Sequence, residues 1–198
     1  MLLIKKFEQY QKTNMSLPTV KRVTNYLPSY WLINAPSEGI QVQHENEYLK
    51  YKVTNLSKAN QWTYVSIQNL LPTSGGALII FRIRVNKIEK TSEVKLTLPA
   101  DVIWRFHLNN FNYQWYDSDG NFRTLASSNI RPDSTWRTIT LALTPESVVL
   151  LEDSNFRFNW SHNVPRTVNP KFDLQISNIG GSLDIDIGDI YAIPPNFD

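Results

Sequence analysis

The closing stretch, Gly181-Ser-Leu-Asp-Ile-Asp-Ile-Gly-Asp-Ile-Tyr-Ala-Ile-Pro194, decides how this chain is read. Leu183, Ile185 and Ile187 alternate with Asp184 and Asp186, which is the period of a half-buried β-strand with one apolar and one acidic face. After Gly188 the apolar positions become Ile190 and Ala192, and the parity changes. A slip of one residue would turn every side chain to the wrong face. A bulge at Gly188-Asp189 is therefore expected, since glycine tolerates that backbone. Such a strand closes a sheet that earlier strands have built.

Working back from it, the same alternation recurs. Phe172, Leu174 and Ile176 alternate with Asp173 and Gln175, and Phe156, Phe158 and Trp160 with Arg157 and Asn159. Ile139, Leu141 and Leu143 oppose Thr138 and Thr140 in a strand from Trp136 to Leu143. Val102, Trp104, Phe106 and Leu108 share a face, and Phe111, Tyr113 and Trp115 follow. Asp117-Ser-Asp-Gly-Asn121 then reads as a turn into Phe122–Leu125. The strongest strand is Leu78–Val85, with Ile79, Phe81, Ile83 and Val85 facing in and Arg82 and Arg84 facing out. Val94–Leu98, Trp62–Ile67, Glu47–Val53 and Trp31–Ile33 complete the set, with Tyr48, Lys50 and Lys52 opposite Leu49, Tyr51 and Val53. Pro145–Leu151 reads as one helical turn or a loop crossing an end of the sandwich.

This amounts to about nine or ten short strands separated by turn signals, with no long helix. The fold class is all-β, a single antiparallel β-sandwich (jelly roll) over residues 26–198. Residues 1–25 lack strand alternation. Leu2, Leu3, Phe7 and Tyr10 could line a short helix, but Pro18 and the polar Gln11-Lys-Thr-Asn14 continue no pattern, so this segment reads as an N-terminal arm or linker.

Composition bounds the function. A chain of 198 residues, 41% hydrophobic and 12% aromatic, can bury a sizeable core. With a net charge of +2, a strong nucleic-acid footprint is not expected. Lys5, Lys6, Lys12, Lys21 and Arg22 make the start basic, and Asp184, Asp186, Asp189 and Asp198 make the end acidic. These are two solvated ends, or a basic arm that docks on an acidic surface of a neighbouring subunit. The absence of cysteine removes disulfides, thiolate metal sites and cysteine nucleophiles. Met1-Leu-Leu-Ile-Lys-Lys does not read as a signal peptide, and no apolar run approaches the roughly 20 residues of a membrane span.

Catalytic signals are thin. Asp184-Ile-Asp186-Ile-Gly-Asp189 superficially resembles the acidic strand of laminarinase-like glycoside hydrolases. Retention there needs carboxyls about 5.5 Å apart, but glutamates normally hold both positions, so a solvated polar face is the expectation. Asp117, Asp119 and Asn121 begin like a calcium loop, yet Phe122 and Ser128 occupy the positions where the pattern needs Gly and Glu. His44, His107 and His162 lie far apart, and there is no Gly-x-Ser-x-Gly elbow and no phosphate loop. No catalytic residue, metal site or cofactor is expected. The six Trp and nine Tyr suit a sugar-binding surface, where flat rings stack on pyranose faces. Trp62 and Tyr64, with Arg82 and Arg84 on an adjacent outward face, are the candidates. Trp104, Trp115 and Trp160, in phase with Phe, are expected in the core.

The order of Trp31, Glu47-Tyr-Leu49, Trp62-Thr-Tyr64, Leu78–Val85, Thr135-Trp-Arg-Thr138 and Gly-x-Leu-x-Ile…Asp-Ile resembles galactose-binding-like jelly rolls. These include the carbohydrate-binding modules attached to xylanases and similar modules of phage tail proteins. The resemblance spans about residues 26–194. Taken with the N-terminal arm, the lack of cysteine and the lack of an export signal, it implies a non-enzymatic phage virion protein, of tail, baseplate or capsid decoration, made in the host cytoplasm. Its partners would be other virion subunits or copies of itself, with glycans as a further partner. A stand-alone carbohydrate-binding module is the alternative, and a glycoside hydrolase using Asp184 and Asp186 the third reading.

Overall fold

A computed structural model describes residues 21–23, 31–34, 40–45, 48–56, 61–67, 77–89, 94–98, 102–107, 109–144, 146–161, 172–178 and 181–193. Fifteen strands are found there, and no helix: β1 (Lys21–Val23), β2 (Trp31–Asn34), β3 (Ile40–His44), β4 (Tyr48–Leu56), β5 (Gln61–Ile67), β6 (Ala77–Ile88), β7 (Val94–Thr97), β8 (Ile103–His107), β9 (Asn110–Tyr116), β10 (Phe122–Ser127), β11 (Arg137–Leu143), β12 (Ser147–Glu152), β13 (Asn155–Ser161), β14 (Phe172–Asn178) and β15 (Gly181–Ile193). They form two antiparallel sheets packed as a sandwich. An eight-stranded sheet runs β13-β12-β11-β6-β15-β4-β3, with β1 also paired to β15, and a seven-stranded sheet runs β10-β9-β8-β7-β14-β5-β2.

The expected all-β sandwich is therefore the fold. The closing strand lies between β6 and β4 in the middle of its sheet. Leu183, Ile185 and Ile187 are at most 1% exposed and face the core, as the alternation requires. The register against β6 shifts between Gly188 and Tyr191: three steps along β15 match two along β6, from Arg82 to Ile80. That is the bulge the change of parity demands. Lys21–Val23, inside the segment read as an arm, pairs with Ile190–Ala192 beyond it.

The core lies between the sheets. Ile79, Phe81, Ile83 and Val85 of β6 have no exposed surface, and they meet Val94, Leu96, Trp104, Phe106 and Tyr113 from the other sheet. Trp104 is in this core as expected, 1% exposed. Trp115 and Trp160 instead lie half-buried against each other, with ring centroids 5.0 Å apart. One polar knot crosses the sandwich. Glu152 on β12 is fully buried and accepts from the Tyr113 and Ser128 hydroxyls, both at 2.8 Å, from the Asn129 amide at 2.8 Å and from Arg157 Nη2 at 3.1 Å. Both carboxylate oxygens have donors, which is the condition for burying the charge at all.

The Pro145–Leu151 reading needs correction. Ser147–Glu152 is neither a helical turn nor a loop but a strand between β11 and β13. Val148 and Leu150 enter the main core, while Val149 packs with Leu78 and Ala142 in a second apolar cluster on the opposite face. A strand covered on both faces shows no alternation, which is why periodicity does not identify it.

Candidate functional site

The strand alternation that fills the core also presents a polar row on the outer face of the eight-stranded sheet. Asp186 is the register partner of Arg84 on β6 and of Lys50 on β4. Asp184 is opposite Lys52 on β4, and Gly188 lies between Arg82 and Tyr48. Trp136 sits one residue before β11, so the chain entering that strand brings its indole onto the β6 arginines.

The geometry is tight. Asp186 Oδ2 accepts from Arg84 Nε at 2.8 Å, Arg84 Nη2 at 2.6 Å and Asn86 Nδ2 at 2.7 Å. The same Asn86 amide nitrogen donates to Asp184 Oδ1 at 2.9 Å, tying the two carboxylates together. Asp186 is 0% exposed, and its Oδ1 has no hydrogen-bond partner. The Arg84 guanidinium carbon lies 4.6 Å from the Trp136 ring centre and 5.3 Å from that of Tyr48, and Arg82 stands 4.9 Å from Trp136. Tyr48 and Trp136 meet edge to face at 5.8 Å and 68°. Both rings are half-buried. Cation–π contact and charge-assisted hydrogen bonds thus hold two rings, two arginines and two carboxylates in one patch.

This corrects two expectations. Asp186, in the middle of the acidic face of β15, is not solvated: it is buried, and its charge is matched by Arg84. Trp62 and Tyr64 do not share a face with Arg82 and Arg84. They belong to β5 in the seven-stranded sheet, whereas the arginines belong to β6 in the eight-stranded sheet. The side chains of Trp62 and Tyr64 lie outside the described residues. Among the described residues, the arginines lie against the rings of Tyr48 and Trp136. Each carries a signal in the sequence: Tyr48 shares parity with Lys50 and Lys52, and Trp136 with Thr138 and Thr140.

The Asp117 turn is closed on itself, as expected of an Asp-x-Asp-Gly-Asn loop. Asp117 Oδ1 accepts from the Asp119 and Asn121 amides at 3.0 and 2.8 Å, and its Oδ2 meets Arg123 Nε at 2.7 Å. These bonds, the Asn121 amide first, hold the Asp117 carboxyl below the ordinary aspartate range. Among the described residues no group of three His, Cys, Asp or Glu side chains could hold a metal ion.

No family model matches the chain, and no curated protein does. Solved structures share its fold. A sialidase superposes with TM-score 0.64 at 10% identity over 85% of this chain, which spans 17% of that protein. A structure from work on endo-acting O-glycanases of the human gut microbiota that initiate mucin breakdown gives 0.63 at 12% identity, covering 91% of this chain and 100% of that one. The carbohydrate recognition domain of Emp47p gives 0.57 at 11% identity, covering 91% and 95%. The chain therefore shares the β-sandwich fold of these structures.

Proposed function

We propose that this chain is a non-catalytic glycan-binding β-sandwich whose site is the outer face of the eight-stranded sheet around Trp136, Tyr48, Arg82, Arg84 and Asp186. The observation that carries this is the Trp136–Tyr48 pair held at 5.8 Å beside Arg84 and Asp186. Saccharides are bound by rings that take their C–H faces and by planar polar groups that take their hydroxyls. The patch supplies both on a rigid sheet. The likeness to a carbohydrate recognition domain supports the same reading at the level of fold.

A non-enzymatic role is supported by the state of the carboxylates. Three N–H donors converge on Asp186 Oδ2, and the residue has no exposed surface. Hydrolysis by a carboxylate pair needs both groups presented to the scissile bond, and Asp186, although on the outer face, is covered by its neighbours. The step to a virion subunit is supported by sequence traits alone, the basic first segment and the lack of cysteine. A stand-alone module accounts equally for the fold.

A glycan array read with the whole chain and its Trp136→Ala variant tests the proposal. Binding by the parent that falls at least about tenfold in the variant, as loss of a stacked ring predicts, supports the site. Binding lost in Trp62→Ala but kept in Trp136→Ala would move the site to the other sheet. The absence of any bound glycan would sink the reading.

A further inference from the structure

We propose that the saccharide taken by this face is anionic, carrying carboxylate or sulfate groups. This rests on the glycan-binding reading above and adds the class of ligand to it.

The acidic strand does not make the face acidic. Four cations, Lys50, Lys52, Arg84 and Lys87, flank two carboxylates, Asp184 and Asp186, in direct register, and Lys87 is paired with Glu89 at 3.3 Å. Arg84 faces Asp186 with Nη2 2.6 Å and Nε 2.8 Å from one oxygen, so that pair is neutral toward a ligand. Asp184 is engaged by Asn86. Lys50 stands directly across the strand pair from Asp186, yet no carboxylate among the described residues pairs with it, because the Asp186 oxygen that carries the contacts is turned toward β6. Lys52 is exposed and has no carboxylate partner among the described residues either.

The lysines thus retain unmatched charge beside a half-buried aromatic pair. A neutral sugar would offer these ammonium groups only hydroxyl acceptors. A carboxylate or sulfate would add to the hydrogen bond the attraction of opposite charges. The Asp186–Arg84 pair, already matched within itself, offers an anionic group no net attraction, so the favourable position lies toward β4 and its lysines. The face therefore selects a sugar with its anionic substituent over Lys50 and Lys52 and its ring over Tyr48 and Trp136.

The experiment measures binding of the whole chain to three panels: neutral oligosaccharides, uronate- or sulfate-bearing oligosaccharides, and duplex DNA as a non-saccharide polyanion. The expected result is retention of the acidic sugars alone. Their affinity should fall roughly tenfold in Lys50→Gln and in Lys52→Gln, and should weaken as salt rises toward 1 M, where the Debye length falls to about 3 Å. Lys52 is exposed, so its variant separates lost charge from lost folding, and an unchanged unfolding midpoint verifies this. Equal binding of neutral sugars, unaffected by either variant, would overturn the charge inference and leave the glycan reading intact. Acidic sugars bound equally well by both variants would overturn the role of the lysines. DNA competing as well as the acidic sugars would overturn the saccharide class. Binding to none of the three panels would overturn both proposals.

Discussion

Arg84 grips Asp186 by a single oxygen, with Nε at 2.8 Å and Nη2 at 2.6 Å from Oδ2, and leaves Oδ1 buried without a partner. The pair is asymmetric in burial, with the carboxylate at 0% side-chain exposure and the guanidinium at 25%. Removing the arginine strands an ionised group in the sheet. Arg84→Ala is expected to cost about 3 kcal/mol, the lower end for breaking a buried pair because Arg84 keeps some solvent. Replacing both partners, Arg84→Met with Asp186→Leu, should recover most of that loss, since burying two apolar side chains has no desolvation cost. Urea midpoints of the single and double variants measure the difference. A double variant no more stable than Arg84→Ala would refute the account.

Much of the sandwich is legible in the chain because burial on one face writes itself as period two. β6 and β15 announce their inward residues, and the parity change at Gly188 marks the bulge. Two things are not legible. β12 is apolar on both faces because a second cluster, Leu78, Ala142 and Val149, covers its outer side. The site is misassembled by sequence reasoning because consecutive strands are usually neighbours in space, and β5 and β6 are not: the chain crosses from one sheet to the other between them. Parity tells which residues share a face of one strand. It does not tell which strands lie side by side, so it joins Trp62 to Arg82, whereas Trp136, more than fifty positions along the chain from Arg84, is the real neighbour.

The Glu152 knot predicts an alkaline limit to stability. Burial, and then the adjacent Glu152 charge, push the Tyr113 hydroxyl well above its ordinary value of 10.0. The folded state therefore keeps the phenol proton at pH values where the unfolded chain has lost it. This contribution is fully present below about pH 10, the ordinary tyrosine value, and is lost progressively as pH rises toward the folded value. Wild type should lose stability more steeply than Tyr113→Phe as pH rises above about 10, as read by thermal melts. At about pH 7 the same variant should cost roughly 1–2 kcal/mol for the donor removed from Glu152. Parallel pH profiles would show that Tyr113 is not the group responsible.

Gly120 closes the turn between β9 and β10 with φ +78°, donating to the Asp117 carbonyl at 3.0 Å. A Cβ there would meet nothing within 4 Å, so the penalty for a side chain is purely conformational. Gly120→Ala should cost about 1 kcal/mol and Gly120→Val more, with Gly120→Asn the mildest because Asn tolerates the left-handed region. Equal midpoints for the Asn and Val variants would contradict this.

Gly188 connects the architecture of the closing strand to its proposed use. It lies in register between Arg82 and Tyr48, on the outer side of the sheet, immediately before the bulge. Tyr48 belongs to β4 and Trp136 to the chain entering β11, two strands beyond β15, yet their rings meet at 5.8 Å. The two side chains together therefore span β15 and β6, and a residue without a side chain at 188, in register with Tyr48, leaves room for this. Gly188→Val would place a branched side chain beneath the ring and push Tyr48 off Trp136 and Arg84. The expected stability cost is modest, about 1–2 kcal/mol of local overpacking, while saccharide binding should fall as far as in Trp136→Ala. Gly188→Ala should lie between. Binding and urea midpoints measured on the same preparations separate the two effects. A Gly188→Val variant that binds like the parent would mean that the Tyr48–Trp136 contact is not part of the site, and that glycan recognition has to be sought around Trp62 and Tyr64 on the opposite sheet.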